Sequence, residues 1–559
     1  MRVLAALLLT APLAEGLTAP LPRTTGSATR LRSSTMPAPA AERAAVPEDG
    51  GPMRPPIATP WDGIKETLVG DFGLSAARAD SYDAVGDMGD AYETMQLCRQ
   101  FENACAQAYM QGSIRGFMHL DNGQETIPAL ISDALTEDDI KYSYYREHCH
   151  ALASGVPAEK IMAELFAKDG GTCRGTGGSM HIFDKKTHFQ GGWALVAEQF
   201  PYACGAARSI LLDRHLGLTK SKADGGDDDR LAIVFCGEGG SQNGRLAETL
   251  NSAAKEKLPL LILCIDNGRA INTFTPDVAQ NSEIWQAGAH YGVPGVKVDG
   301  TNLEETLKTG RAVIDYVRET SSPAILHVHT YRLQGHSPAD PEHERGRKAE
   351  KKWARAEADP LKLFEATGAL GDDALKARKD AASAVVKGAV AFAKASPPPP
   401  RELAKELEYP DAPDTDYNAR PAPADSPALA AASVDGAALA ECEARIATLQ
   451  AAGKAEGLNI GDALNLAILE EMVRDPRTTI HAEDLQAGSS YDIPRATQQT
   501  FGALRAADEI IDEGHFLGKA LGEGMNGYRP IVELMNANFG IYGMAELSKL
   551  AFKIGRAHV

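Results

Sequence analysis

No two of the eight cysteines in this 559-residue chain form a CxxC pair; Cys98, Cys105, Cys149, Cys173, Cys204, Cys236, Cys264 and Cys442 are scattered along it. That spacing excludes a zinc ribbon and a disulfide framework, and it fits buried thiols in a reducing compartment. Basic residues are outnumbered: 57 Lys and Arg face 76 Asp and Glu, a net charge of −19. A nucleic-acid surface, which needs clustered Lys and Arg, is not expected. Beyond the N-terminus no apolar run is long enough to span a bilayer, so no membrane partner is expected either. GxxxxGK[ST] is missing, which excludes a P-loop. GEGGSQNG (237–244) lacks the third glycine of GxGxxG in register, which speaks against a dinucleotide fingerprint. No internal repeat is present.

What is present begins with an address. MRVLAALLLTAPLAEG (1–16) has a basic start, a short apolar stretch and small residues at Ala14 and Gly16, the pattern of a signal peptide. LTAPLPRTTGSATRLRSSTMPAPA (17–40) carries Arg, Ser and Thr but no acid, which is transit-peptide composition; the transit peptide and N-terminal extension are placed at 17–84. A signal followed by a transit segment predicts delivery to a plastid, with secretion or the mitochondrial matrix as alternatives.

Residues 85–393 alternate strand-like apolar runs with helical patterns, the signature of an α/β fold. Residues 394–455, rich in Pro and Ala, read as a linker, semi-rigid around its prolines. Structure is expected again over 456–553, where GDALNLAILEEMV (461–473) puts Leu464, Ala467, Ile468 and Met472 on one helical face.

The stretch VFCGEGGSQNG (234–244) carries the first chemistry. LAIVFC (231–236) is a buried-strand run that stops at Gly237, with Glu238 between glycines. GRLAETLNSAAKEKLP (244–259) comes next, with Leu246, Leu250 and Ala254 at helical spacing, and LLILCI (260–265) is a second strand that stops at Asp266, Asn267 and Gly268. Parallel neighbouring strands bring their carboxyl ends together, where open α/β sheets bind ligands. Glu238 and Asn267 would then stand side by side. A carboxylate, an amide oxygen and a backbone carbonyl suit Mg²⁺ shared with a phosphate group. Gly239 and Gly240 would let backbone N–H groups approach that phosphate at a helix N-terminus.

GEG followed at this spacing by DN resembles the signature of thiamine diphosphate enzymes. Five further stretches resemble the alpha subunit of the pyruvate dehydrogenase decarboxylase component, in family order over about 300 residues. They are CRQFENACAQAYMQGSIRGFMHLDNGQE (98–125), YYREHCHALASGVPAEKIMAELF (144–166), CRGTGGSMH (173–181), GGWALVAEQFP (191–201) and TYRLQGHSPADP (330–341). After the linker, ALNLAILEEMVRDPRTTIHAEDL (463–485) and DEGHFLGKALGEGMNGYRPIVELMNANF (512–539) are similar to the start of the beta subunit. The chain thus looks like an alpha–beta fusion whose beta portion is incomplete, and IGRAHV (554–559) resembles the conceptual translation of a sequencing-library adapter.

The resemblance implies a thiamine-diphosphate-binding fold: a parallel sheet flanked by helices, then the linker and a partial second α/β domain, pyrimidine-binding. It implies thiamine diphosphate and Mg²⁺ as cofactors, with the metal held by Glu238, Asn267 and the carbonyl of Arg269. Pyruvate-type members mostly have Asp where Glu238 stands, while branched-chain relatives have Glu. Glu513 matches the carboxyl group that activates the aminopyrimidine, and an apolar wall, Phe516 for instance, is expected to raise its pKa. Tyr145 and Arg146 match the pair that meets the cofactor, and Ala194 and Val196 match backbone positions that hold its aminopyrimidine. His119 and His336 match active-site histidines, with His148 and His181 as lesser candidates. Ser337 matches a regulatory phosphorylation position and is read as an exposed loop serine.

The implied activity is decarboxylation of a 2-oxo acid, pyruvate first, with transfer of the acyl group to lipoyl on a dihydrolipoyl acyltransferase partner. Branched-chain and acetoin dehydrogenase components, and a non-catalytic cofactor-binding assembly subunit, are the alternatives. Relatives are heterotetramers with each cofactor at an alpha–beta contact, so the complete fusion is expected to be a homodimer.

Overall fold

Six strands, β1 (Ile140–Tyr144), β2 (Phe189–Trp193), β3 (Ala232–Gly237), β4 (Leu260–Asp266), β5 (Gly295–Asp299) and β6 (Ala324–His329), form one sheet. Its order is β2-β1-β3-β4-β6-β5, and every pairing is parallel. The computed structural model describes residues 60–271, 273–338, 340, 348–403 and 434–549. The stretch read as a signal peptide, the acid-free stretch 17–40 and the tail 554–559 lie outside the described residues.

The two unbroken apolar runs become strands because both faces of the sheet are covered. Alternate residues go to separate cores. Leu231, Ile233, Phe235, Leu261, Leu263 and Ile265 enter one. Ala232, Val234, Cys236, Leu260, Ile262 and Cys264 enter the other. The strand order reverses between β1 and β3, because β2 lies outside β1 while β4 follows β3. A crevice at the carboxyl ends of β1 and β3 is the place where such sheets bind ligands.

A second sheet, β8-β7-β9, pairs β7 (Thr478–Ala482) in parallel with β8 (Ala506–Asp508) and with β9 (Arg529–Val532). The helices that accompany the two sheets include α1 (Gln199–His215), α2 (Gly244–Glu256), α3 (Gly436–Ala455), α4 (Ile460–Arg474) and α5 (Glu513–Met525). Asn243 caps α2, its side chain accepting from the Arg245 N–H.

Three expectations change. Residues 60–84, assigned to the N-terminal extension, include helix Trp61–Gly70, whose Ile64 and Leu68 are buried in the first core. Residues 436–455, assigned to the linker, form α3, which packs on α4 and buries Cys442; Pro and Ala around it hid an alanine-rich helix. The buried face of α4 is Asn465, Leu469 and Met472, while Leu464 is 45% exposed. Asn465 takes the core position because its amide is fully engaged. It accepts from Arg445 Nε at 3.0 Å and donates to the carbonyls of Ile493 and Arg495 at 2.8 and 3.0 Å.

The two halves meet where α5 lies along α1. A Cβ added at Gly205 would come within 2.0 Å of the Lys519 carbonyl, and one at Gly522 within 2.1 Å of the Tyr202 carbonyl. One at Gly518 would meet Pro201 at 2.7 Å. Glycine stands at these positions because the backbones touch. Pro201 opposite Gly518 and Gly205 opposite Gly522 make the two helices run in the same direction. Leu521 and Met525 of α5 complete the second core.

Candidate active site

Glu238 follows β3 directly, and Asn267 follows β4. Register pairs Gly237 with Ile265, so the two side chains leave adjacent strands at the same edge. The Asn267 N–H donates to Glu238 Oε2 at 3.4 Å. Glu238 is 5% exposed, and burial, then the nearby Asp266 charge, push its pKa above the ordinary carboxylate range. Asn267 is held from two sides: Arg332 donates to its Oδ1 at 3.3 Å, and its own Nδ2 donates to Gln124 Oε1 at 3.2 Å. Arg332 also donates to the Ala270 carbonyl at 3.2 Å. Arg269 is buried in the loop that a bridge to Phe274 closes, its guanidinium 4.0 Å from the centre of that ring.

The turn after Glu238 approaches the neighbouring loops without side chains between them. A Cβ on Gly239 would lie 3.9 Å from the Ala270 methyl, and one on Gly240 would lie 3.7 Å from Val196 Cγ1. Val196, 52% exposed, and half-buried Ala194 belong to the turn between β2 and α1. The turn at Gly239 and Gly240 thus lies against the loops that carry Ala270 and Val196.

Tyr145 and Arg146 follow β1 on the other side of the strand-order reversal. Arg146 is 1% exposed and donates to the Leu120 carbonyl at 2.5 Å and the His336 carbonyl at 3.2 Å. The His119 ring lies 4.6 Å from that of Tyr145 and 5.0 Å from that of His336. Burial, followed by the Arg146 charge, pushes the His119 pKa down to about 2, so this imidazole is neutral at any working pH. Its Nδ1 is buried with no hydrogen-bond partner among the described residues. His148 instead is braced between Glu102 (2.9 Å) and Ser179 (2.8 Å), and His181 Nδ1 faces the Gly192 carbonyl at 3.1 Å. Ser337 is half-buried rather than exposed.

Glu513 is the first residue of α5, with Asp512 as its N-cap. Because α5 runs parallel to α1, Glu513 lies at the end of the seam where the chain enters α1 from Ala194 and Val196. Carboxyl groups stand near it. Glu483, 4% exposed, has its carboxyl raised by burial and then by the Glu513 charge. Asp512 in turn faces Glu248 of α2, whose pKa burial and then Asp512 push up to about 7. Acids converge here from three segments.

Gln124, Arg332, Glu248, Glu483 and Asp512 were not identified from sequence. Gln124 and Arg332 do lie inside the stretches DNGQE and TYRLQGH, which was the available signal. The acids had none, since Glu248 and Asp512 meet only across the seam.

The donor set fits a hard divalent ion with a diphosphate: oxygen ligands at two strand ends, a buried carboxylate whose charge is disfavoured, and glycines where a phosphate would approach. The metal-ligand cluster that the side chains form elsewhere, Glu102, Cys105 and His148, is already closed by the His148–Glu102 hydrogen bond.

Residues 93–402 match the family model described as dehydrogenase E1 component, and residues 456–557 match that of the transketolase pyrimidine binding domain. The chain is 37% identical over 350 residues to the pyruvate dehydrogenase E1 component subunit alpha-3, chloroplastic, of Oryza sativa subsp. japonica, covering 62% of this chain and 81% of that one. The corresponding Arabidopsis thaliana protein is 38% identical over 324 residues, covering 58% and 74%. The pyruvate dehydrogenase E1 component subunit alpha of Porphyra purpurea is 38% identical over 275 residues, covering 49% and 77%.

Proposed function

The chain belongs to the dehydrogenase E1 component family, and we propose that it is the thiamine-diphosphate-dependent component that decarboxylates pyruvate and hands the acetyl group to lipoyl on a dihydrolipoyl acyltransferase. The observation that carries this reading is the buried Glu238 beside Asn267 at the strand-order reversal, with Arg146 across the crevice. The pyrimidine-binding match over 456–557 supports the cofactor, and the names of the relatives support the substrate.

Bound there, thiamine diphosphate supplies a carbon nucleophile and an electron sink for decarboxylation. The protein's own groups do the rest. Glu238, the Asn267 side chain and the Arg269 carbonyl would hold Mg²⁺, and Arg146 would face the phosphates. Ala194 and Val196 would hold the pyrimidine by their backbone, and Glu513 would share a proton with it. His119, neutral, can hydrogen-bond a substrate carboxylate but adds no charge, and His336 beside it completes the wall. The presence of Glu at 238 favours a second reading, a branched-chain 2-oxo acid component. Decarboxylation of both substrate types with an artificial electron acceptor separates the two; no turnover of either by the complete assembly would leave only a non-catalytic binding subunit.

We further propose a plastid location, since two relatives are chloroplastic isoforms, and expect the alpha–beta fusion to be a homodimer. Mixing Glu238→Ala with Glu513→Gln chains tests whether sites form across chains: activity returns at one site of two if they do and stays absent if each chain serves its own.

A further inference from the structure

Away from the crevice, the far end of the seam buries a network of charge. Arg208 of α1, fully buried, donates to Glu256 Oε2 at 2.7 Å and to Glu523 Oε1 at 2.5 Å. Lys519 of α5, also fully buried, donates to Glu256 Oε1 at 2.5 Å, to Glu509 Oε2 at 2.6 Å and to Ser252 Oγ at 3.3 Å. His481 of β7 lies between the remaining oxygens, with Nδ1 2.7 Å from Glu509 Oε1 and Nε2 3.1 Å from Glu523 Oε2. Thr479 Oγ1 donates to Glu523 Oε2 at 2.8 Å. Arg208, Ser252 and Glu256 come from the first half; the others come from the second.

Two features of this set are not those of an incidental ion pair. The first is the count: three carboxylates face two permanent cations, so the set is neutral only when His481 carries a proton. The second is the geometry. A neutral imidazole has one N–H and one lone pair, and here each nitrogen faces a carboxylate oxygen. Only the imidazolium, donating from both nitrogens, avoids setting a lone pair against an anion.

We propose that this seam is a charge-coded docking surface: the first half accepts a second-half segment that presents Lys519, Glu509, Glu523 and a doubly protonated His481, and docking binds that proton. The occupant is residues 456–549 of the same chain, the segment whose Lys519 and Glu523 meet Glu256 and Arg208 here. A segment with apolar residues at those positions would leave the Arg208–Glu256 pair buried without the further charges it meets here and the remaining Arg208 N–H groups and Glu256 Oε1 unmatched, which is unfavourable.

The other groups around His481 do not supply the missing charge. Arg505, from the helix Thr497–Arg505, is fully buried and donates to the carbonyls of Met472, Asp475 and Thr478. Asp475, at the end of α4, pairs with Arg529 of β9 at 2.7 Å. Glu533, after β9, donates its N–H to the His481 carbonyl at 3.0 Å, and burial raises its carboxyl. His515 of α5 is held down to about 4 by burial and then Lys519, so it is neutral. For His481 itself burial opposes the proton, but Glu523 and Glu509 outweigh it and the pKa lies above the usual 6.5. The seam's contribution from this proton is thus complete below about pH 6.5 and is lost as pH rises through the raised value.

Hydrogen exchange of the α1 amides in the full chain, followed from pH 6 to 9 with intrinsic rates removed, tests this without any cofactor, so its outcome is independent of the proposed reaction. Wild-type protection should fall as pH rises. His481→Gln should exchange about 100-fold faster or more at pH 6, because one carboxylate is left uncompensated, and should show no pH slope. His481→Gln with Glu509→Gln restores charge balance, so it should recover protection while staying flat with pH. Wild-type protection and slope in the single variant, or a double variant no better than the single, overturns the proposal. If the single variant does not fold, recovery or failure of the double decides.

Discussion

Glu238 and Glu513 each stand where the chain turns into a helix, one in each half, and their neighbours differ. Glu238 is 5% exposed beside an Asn267 N–H, with the Arg332 guanidinium on the next side chain. Glu513 is half-buried among further acids, Glu483 and Asp512, with Glu248 across the seam. A carboxylate held beside an amide suits a cation, whereas a carboxyl group set among other carboxyl groups shares its site with charges of its own sign. The two glutamates thus differ in their company: an amide N–H and a guanidinium near Glu238, further carboxyl groups near Glu513.

The contrast can be broken most forcefully at Glu513. Glu513→Gln should keep thiamine diphosphate affinity while turnover falls by about 10²–10⁴-fold, the usual range for loss of a general acid–base group; near-normal turnover would remove the residue from catalysis. At the other pole, Glu238→Ala should weaken Mg²⁺-dependent cofactor binding about 100-fold or more (~2.7 kcal/mol) in calorimetry, with Glu238→Asp far milder. Since the metal needs the ionised carboxylate and burial raises its pKa, affinity should begin to fall on acidification at a pH above the ordinary Glu value of about 4.3. Arg332→Leu, which removes one donor from Asn267 Oδ1 and one from the Ala270 carbonyl, should lower Mg²⁺ affinity about tenfold with the fold unchanged by circular dichroism. The smallest effect has the opposite sign. Glu238→Gln should raise the neutral-pH stability of the cofactor-free protein by up to about 1 kcal/mol in urea titration, because it removes a disfavoured buried charge. A loss of stability would mean the carboxylate is structural.

The two strand ends that carry Glu238 and Asn267 were legible because local pattern decides them. LAIVFC and LLILCI have no polar interruption, so two buried strands and the glutamate and asparagine that end them follow from the run lengths alone. The acid cluster was not legible, since Glu248 and Asp512 are 264 positions apart and meet only through the packing of α2 near α5. The face of α4 was misjudged because a period count registers apolar residues, and Asn465 fills a core position by satisfying its amide. Helix α3 was hidden by composition. Glycine lowers helix propensity, and the role of the glycines in α5 appears only once α1 is in place.

Those glycines set a dimension. Where Gly205 meets Lys519 and Gly522 meets Tyr202, main chain rests on main chain, with no flexible atoms to take up error. The gap between the turn at Ala194–Val196 and the carboxylate of Glu513 is therefore gauged from the far end of the same two rods, as the jaw of a calliper is set by its beam. One added methyl at Gly522 would wedge the rods apart at one end and shift the jaw at the other. The reach of the acid toward whatever lies in the crevice would change although no residue near it had been touched.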